Sequence, residues 1–187
     1  MSRFVLISDV LLAAWPGLIW LTVVTEQAFW TLPLMGLVLV MRLWVLWRSA
    51  FPWRGLAMAV ASVAVILIVF SVLLRSLGFL LYYPVLINFM LLVLFAGSLW
   101  TEAPIIERIA RFRTPDLPPE AVRYTCRVTW VWMFFFALNG LVALHSCLAG
   151  DLNWWALWNG GIAYGAMGLL MACEYCVRRR VMRSIGA

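Results

Sequence analysis

The chain has 187 residues, of which 66% are hydrophobic and only 12% charged, and its formal net charge of +6 comes entirely from arginine on the basic side. Soluble domains carry about a quarter charged residues, so a water-soluble core is excluded and a single helical domain solvated by lipid is expected. The arginines sit in short segments beside apolar runs, where they set orientation and meet anionic headgroups, which argues against a nucleic-acid partner.

About 20 apolar residues in helix cross a bilayer core. That length occurs at residues 4–24, 29–47, 55–74, 79–100, 124–147 and 154–177. The expected fold class is therefore all-α, a polytopic membrane protein of six transmembrane helices in one domain, 1–187. Strands are disfavoured because an open sheet edge has no hydrogen-bond partners in lipid. The first span holds Asp9 and Pro16 and lacks a strong basic leader, so it is expected to remain attached rather than act as a cleaved signal.

Between the spans, arginine falls almost entirely on alternate connections. With a cytoplasmic N-terminus, thirteen arginines lie inside and only Arg75 lies outside, which predicts an inner-membrane location with both termini cytoplasmic. Trp15-Pro16-Gly17-Leu18-Ile19-Trp20 in the first span is similar to Tyr83-Pro84-Val85-Leu86-Ile87-Asn88 in the fourth. Beyond these residues the halves do not align, so two separate proline kinks are expected rather than an inverted repeat.

The connection between spans four and five is long enough to fold locally. Over 104–113, Ile105, Ile109 and Phe112 share one helical face and Glu107, Arg108 and Arg111 another, while Pro104 suits a first helical position. A short interfacial helix on the inner leaflet is the expectation. Thr114-Pro115-Asp116-Leu117-Pro118-Pro119 ends it, and Pro119-Glu120 starts the fifth span.

Charged groups inside spans are the first functional leads, because each costs about 2.5 to 3.5 kcal/mol at the bilayer centre. Asp9, Arg42, Arg127 and Glu174 all fall at a shallow depth on the cytoplasmic side. They form a candidate polar layer in which Asp9 pairs with Arg42 or Arg127 and Glu174 with Arg178 at i,i+4. Either this layer receives a headgroup or anionic substrate, or its members are ordinary packing pairs and snorkelling arginines. Arg108, Arg111, Arg113, Arg178, Arg179 and Arg180 form a candidate face for anionic phospholipid or a protein partner. Deeper, Asn88, Asn139 and Tyr164 mark a candidate intramembrane polar path, against the default that amides tie helices together beside glycines such as Gly140.

Other motifs fail on chemistry. His145 and Asp151 are one residue too far apart for an acyltransferase His-x4-Asp pair. Cys173 and Cys176 have redox spacing but lie at the inner end, facing a reducing compartment. No set of zinc ligands converges. No catalytic residue, metal or cofactor is therefore expected.

The run from Leu94 to Trp100 followed by Ala103-Pro104-Ile105-Ile106-Glu107-Arg108-Ile109, the Leu117-Pro118-Pro119 stretch, Trp130 to Phe136 with Asn139-Gly140, and the Trp158-Asn159-Gly160 start of the last span resemble the bacterial intracellular septation protein A family. The similarity covers about 79–177. The chain looks closer still to an uncharacterised bacterial inner-membrane protein family encoded beside ketosynthase, acyl-carrier and acyltransferase genes of aryl polyene and related lipid pathways. These resemblances imply an accessory role in cell-envelope lipid or polyene biogenesis, with acyl-chain enzymes as partners, and carry over no catalytic residue. The alternative from another class is a small-solute or lipid transporter using the Asn88, Asn139 and Tyr164 path.

Overall fold

The computed structural model describes residues 15–25, 28–48, 54–112 and 114–184. Among them every regular element is helical: α1 (Trp15–Thr25), α2 (Ala28–Arg48), α3 (Arg54–Leu73), a 3-10 segment (Leu77–Tyr82), α4 (Tyr83–Ser98), α5 (Ile105–Arg111), α6 (Pro119–Ala149), α7 (Leu152–Leu157), a π segment (Trp158–Ile162) and α8 (Ala163–Ser184). Five helical stretches are long and apolar enough to cross a membrane, and the first expected span is represented by the shorter α1. The segment of that span containing Asp9 lies outside the described residues.

These stretches are apolar on their outside as well as within, and less than a quarter of each is buried. Trp30 and Leu73 are 72% exposed and Leu169 67%. A helix that is apolar all round, yet has few neighbours, suits a hydrocarbon solvent.

The contacts divide the chain into two compact units, one comprising the described residues up to Ile87 with Ala143–Gly161, the other Asn88–Val142 with the residues from Ile162 onward. In the first unit, Trp15, Ile19, Met35, Leu39, Leu80 and Trp155 pack as a buried core. The Trp15 and Tyr83 rings, which lead the two similar proline motifs, meet at 5.9 Å between centroids. Pro84 has no N–H with which to close a 3-10 turn onto Leu81. The Leu81 carbonyl instead accepts from Trp155 Nε1 at 3.0 Å and from Cys147 Sγ at 3.1 Å.

Helix ends follow local chemistry. Asp151 caps α7, its carboxylate accepting from the N–H groups of Asn153 and Trp154 at 2.9 and 3.1 Å. This is the role of an N-cap acid, and it accounts for Asp151 without reference to His145. After α3 the chain turns through Arg75 at φ 51°, with Ser76 N–H donating to Ser71 O at 3.0 Å. This six-to-one closure places a side-chain-bearing residue where glycine is usual.

The short helix α5 exists, with one residue of its expected polar face, Glu107, turned inward. Ile105 is buried and Ile109 and Phe112 are 44% and 66% exposed, while Glu107, expected on the polar face, is only 3% exposed. The reason is local docking. Ile105 N–H donates to Ser98 Oγ at 3.1 Å, and Glu107 turns inward to accept from Arg111 Nε at 2.8 Å. Pro104 serves as the residue before the helix rather than its first turn. The helix α6 starts at Pro119, as the Pro119-Glu120 pair predicts, with Ala121 and Val122 N–H both donating to Pro118 O.

Two stability outcomes follow. Arg75→Gly should raise the unfolding midpoint in detergent, by about 0.5 to 1 kcal/mol, since glycine adopts positive φ without strain. Trp155→Phe should lower it by about 1 kcal/mol through loss of the indole donor, and Trp155→Ala by about 3 to 5 kcal/mol; thermal unfolding followed by circular dichroism measures both.

Candidate functional site

The second unit contains a cleft of about 570 Å³. Its walls come from two helices with matching periodicity. Ala121, Thr125, Val128 and Trp132 line it from α6, and Met167, Met171, Glu174 and Arg178 from α8. Both series advance by four, three and four residues, which keeps one face of a helix turned to its neighbour. Phe95 of α4 closes the apolar end, where its ring meets Phe136 edge-on at 5.1 Å, and α5 contributes Ile106, Ile109 and Ala110.

The lining is graded. Toward Met167 it is aromatic and aliphatic; toward Arg178 it becomes polar. At that polar end Tyr124 OH lies 3.2 Å from Glu174 Oε1 and 3.1 Å from the Glu174 carbonyl, donating to the residue from across the helix pair. Arg178 lines the same mouth and has no carboxylate partner among the described residues. The expected Glu174–Arg178 pair is thus replaced by a Tyr124–Glu174 bond, which leaves a guanidinium and a carboxylate about one helical turn apart.

Of the other members of the expected polar layer, Arg42 is half-buried on α2 in the first unit, and Arg127 is exposed on α6 in the second. Asp9 lies outside the described residues. Among the described residues of that set, Glu174 lines the cleft.

The expected basic face is partly committed to its own loop. Arg108 donates from Nε to Ala103 O and from Nη2 to Thr101 Oγ1, both at 2.8 Å. Arg111 binds Glu107 at 2.7 Å and Pro115 O at 2.9 Å. Arg113 lies outside the described residues. Arg179 stacks over the Tyr175 ring at 5.4 Å, and Arg178 to Arg180 are exposed along the end of α8.

Asn88 and Asn139 are both buried, and Asn139 Nδ2 donates to Asn88 Oδ1 at 3.0 Å. Gly140 lets the helices approach: a Cβ there would lie 3.1 Å from that of Asn88. Tyr164 is 42% exposed on α8. None of these three candidate path residues lines the cleft; the amides clamp α4 to α6.

Sequence reasoning passed over Tyr124, Thr125, Trp132, Met167 and Met171. For all but Tyr124 the signal was present in the 4-3-4 spacing along α6 and α8, but other residues of the same apolar type on those helices hid it.

No family model, curated protein or solved structure matches the chain. The class the fold defines is an all-helical chain with helices of membrane-crossing length and apolarity, holding an amphipathic cleft in its second unit.

Replacing Asn88 by Leu should destabilise the protein by about 1 to 2 kcal/mol, because Asn139 keeps a buried amide without this partner. The Asn88→Leu/Asn139→Leu double variant should lose less than the sum of the single losses, a cycle measurable from unfolding midpoints in detergent.

Proposed function

We propose that the chain is an integral protein of the bacterial inner membrane with six spans and both termini in the cytoplasm, and that it serves cell-envelope lipid biogenesis by docking anionic phospholipid at its basic end. The observation that carries this reading is the concentration of exposed arginines, Arg178 to Arg180, at the end of α8 beside the polar mouth of the cleft. Guanidinium groups next to apolar helix surface meet phosphate at the headgroup level. Phe112 and Trp100 are 66% and 84% exposed near the same connection, as expected for side chains of an interfacial helix and its approach lying among headgroups. The envelope assignment comes from the motif resemblance in the fourth to sixth spans.

Each arginine near a charged leaflet contributes about 1 kcal/mol. Replacing Arg178, Arg179 and Arg180 together by Gln should therefore weaken anionic phospholipid binding in mixed micelles by roughly 100-fold, while membrane insertion persists. Unchanged affinity would remove the docking role. Reporter fusions after Trp100 and at the C-terminus should both read cytoplasmic, and a periplasmic signal at either would reverse the topology.

A further inference from the structure

The cleft has a shape and a charge order that suit one kind of occupant. From Met167 to Arg178 along α8 is about 16 Å at 1.5 Å per residue, close to half of the roughly 30 Å hydrocarbon core. A groove of that depth, apolar at one end and polar at the other, matches a single acyl chain of one leaflet. Phe95, Trp132 and Met171 are among its lining residues, and methionine thioethers adapt to flexible chains.

The mouth narrows the headgroup. Arg178 presents a cation with no carboxylate partner among the described residues, and Glu174 presents a carboxylate that has taken one hydrogen bond from Tyr124. Both project from the same face of α8, one turn apart. A purely anionic head would gain Arg178 and be repelled by Glu174. A head with a quaternary ammonium would offer Glu174 no N–H. A phosphate joined by two carbons to a primary ammonium satisfies both, the phosphate at Arg178 and the ammonium donating to Glu174.

We propose that the cleft is a binding site for one zwitterionic, primary-ammonium phospholipid, one of whose acyl chains lies between α6 and α8. This rests on the membrane reading above, in which the arginine-rich end meets the headgroup layer. The site shares Arg178 with the exposed arginine series, whereas Arg179 and Arg180 lie outside its lining.

The test uses the full chain reconstituted in vesicles containing a trace of phospholipid with a photoreactive diazirine in its acyl chain, the probe carrying an ethanolamine, choline or glycerol head in separate arms. Labelled residues are mapped by mass spectrometry. The ethanolamine probe should label Met167, Met171 or Trp132 at least five-fold more than either other probe, whereas the outward-facing Leu169 and Phe134 should be labelled equally by all three.

Glu174→Gln keeps an acceptor for Tyr124 but removes the charge, and should abolish the preference for ethanolamine. Met171→Trp should fill the groove and reduce labelling inside it several-fold, with Leu169 labelling unchanged as the control for folding. Equal labelling by all heads, strongest labelling by glycerol, or a preference that survives Glu174→Gln would overturn the headgroup assignment. Groove labelling unaffected by Met171→Trp would overturn the site. Failure of the membrane reading is separately visible, as loss of Leu169 and Phe134 labelling in every arm.

Discussion

The constraint on which the structure depends is an exterior as apolar as its interior. Where Leu, Val, Phe and Trp cover the outside of the long helices, polar groups along them have protein as their source of partners. Threonine and serine hydroxyls accordingly turn back onto their own helices: Thr22 donates to Leu18 O, Thr129 to Thr125 O and Ser146 to Ala143 O. Such bonds satisfy a hydroxyl at little cost to the helix. The Leu81 carbonyl, left without a proline N–H, draws in an indole and a thiol for the same reason.

Interhelical specificity then falls to a few polar pairs. Apolar contacts between helices offer little preference when lipid is equally apolar. Asn88 with Asn139, Asn159 with Ser146 at 3.2 Å, and Tyr124 with Glu174 supply register. Gly140 permits the first of these by close approach. The π segment over Trp158–Ile162 carries Asn159 inward, where its amide also donates to Trp155 O at 2.9 Å. A local change of helical pitch at this point re-aims one side chain without ending the helix.

The cleft arises from the same logic applied to packing. Two heptad-like series on α6 and α8 face one another, yet Ala121, Thr125 and Val128 are too short to fill the space between them. The large side chains gather at one end and the ionisable ones at the other. A polarity gradient along the helix axis is thereby built from side chains on two helices that are well separated in sequence.

Much of the fold was legible because its driving force is local. Apolar runs of sufficient length announce helices whichever neighbours they acquire, and Pro104 and Pro119 mark where helices start. The inward turn of Glu107 on α5 was not legible because side-chain periodicity gives one amphipathic stripe but not which competing contact, Ser98 for the Ile105 amide or Arg111 for Glu107, sets the helix. The Glu174–Arg178 pair was misjudged for a related reason, since i,i+4 spacing allows an ion pair but cannot exclude a donor from another helix.

By itself, then, the amino-acid order determined that the chain is helical, how many residues each apolar segment offers, and at which ends its arginines collect. Those properties depend on hydrophobicity and backbone hydrogen bonding within a segment. Tertiary structure alone decided that Asn88 meets Asn139, that Tyr124 rather than Arg178 engages Glu174, and that a cleft opens between α6 and α8. With apolar side chains on every face of these helices, hydropathy carries no mark of which face meets a neighbour, and only packing makes that choice.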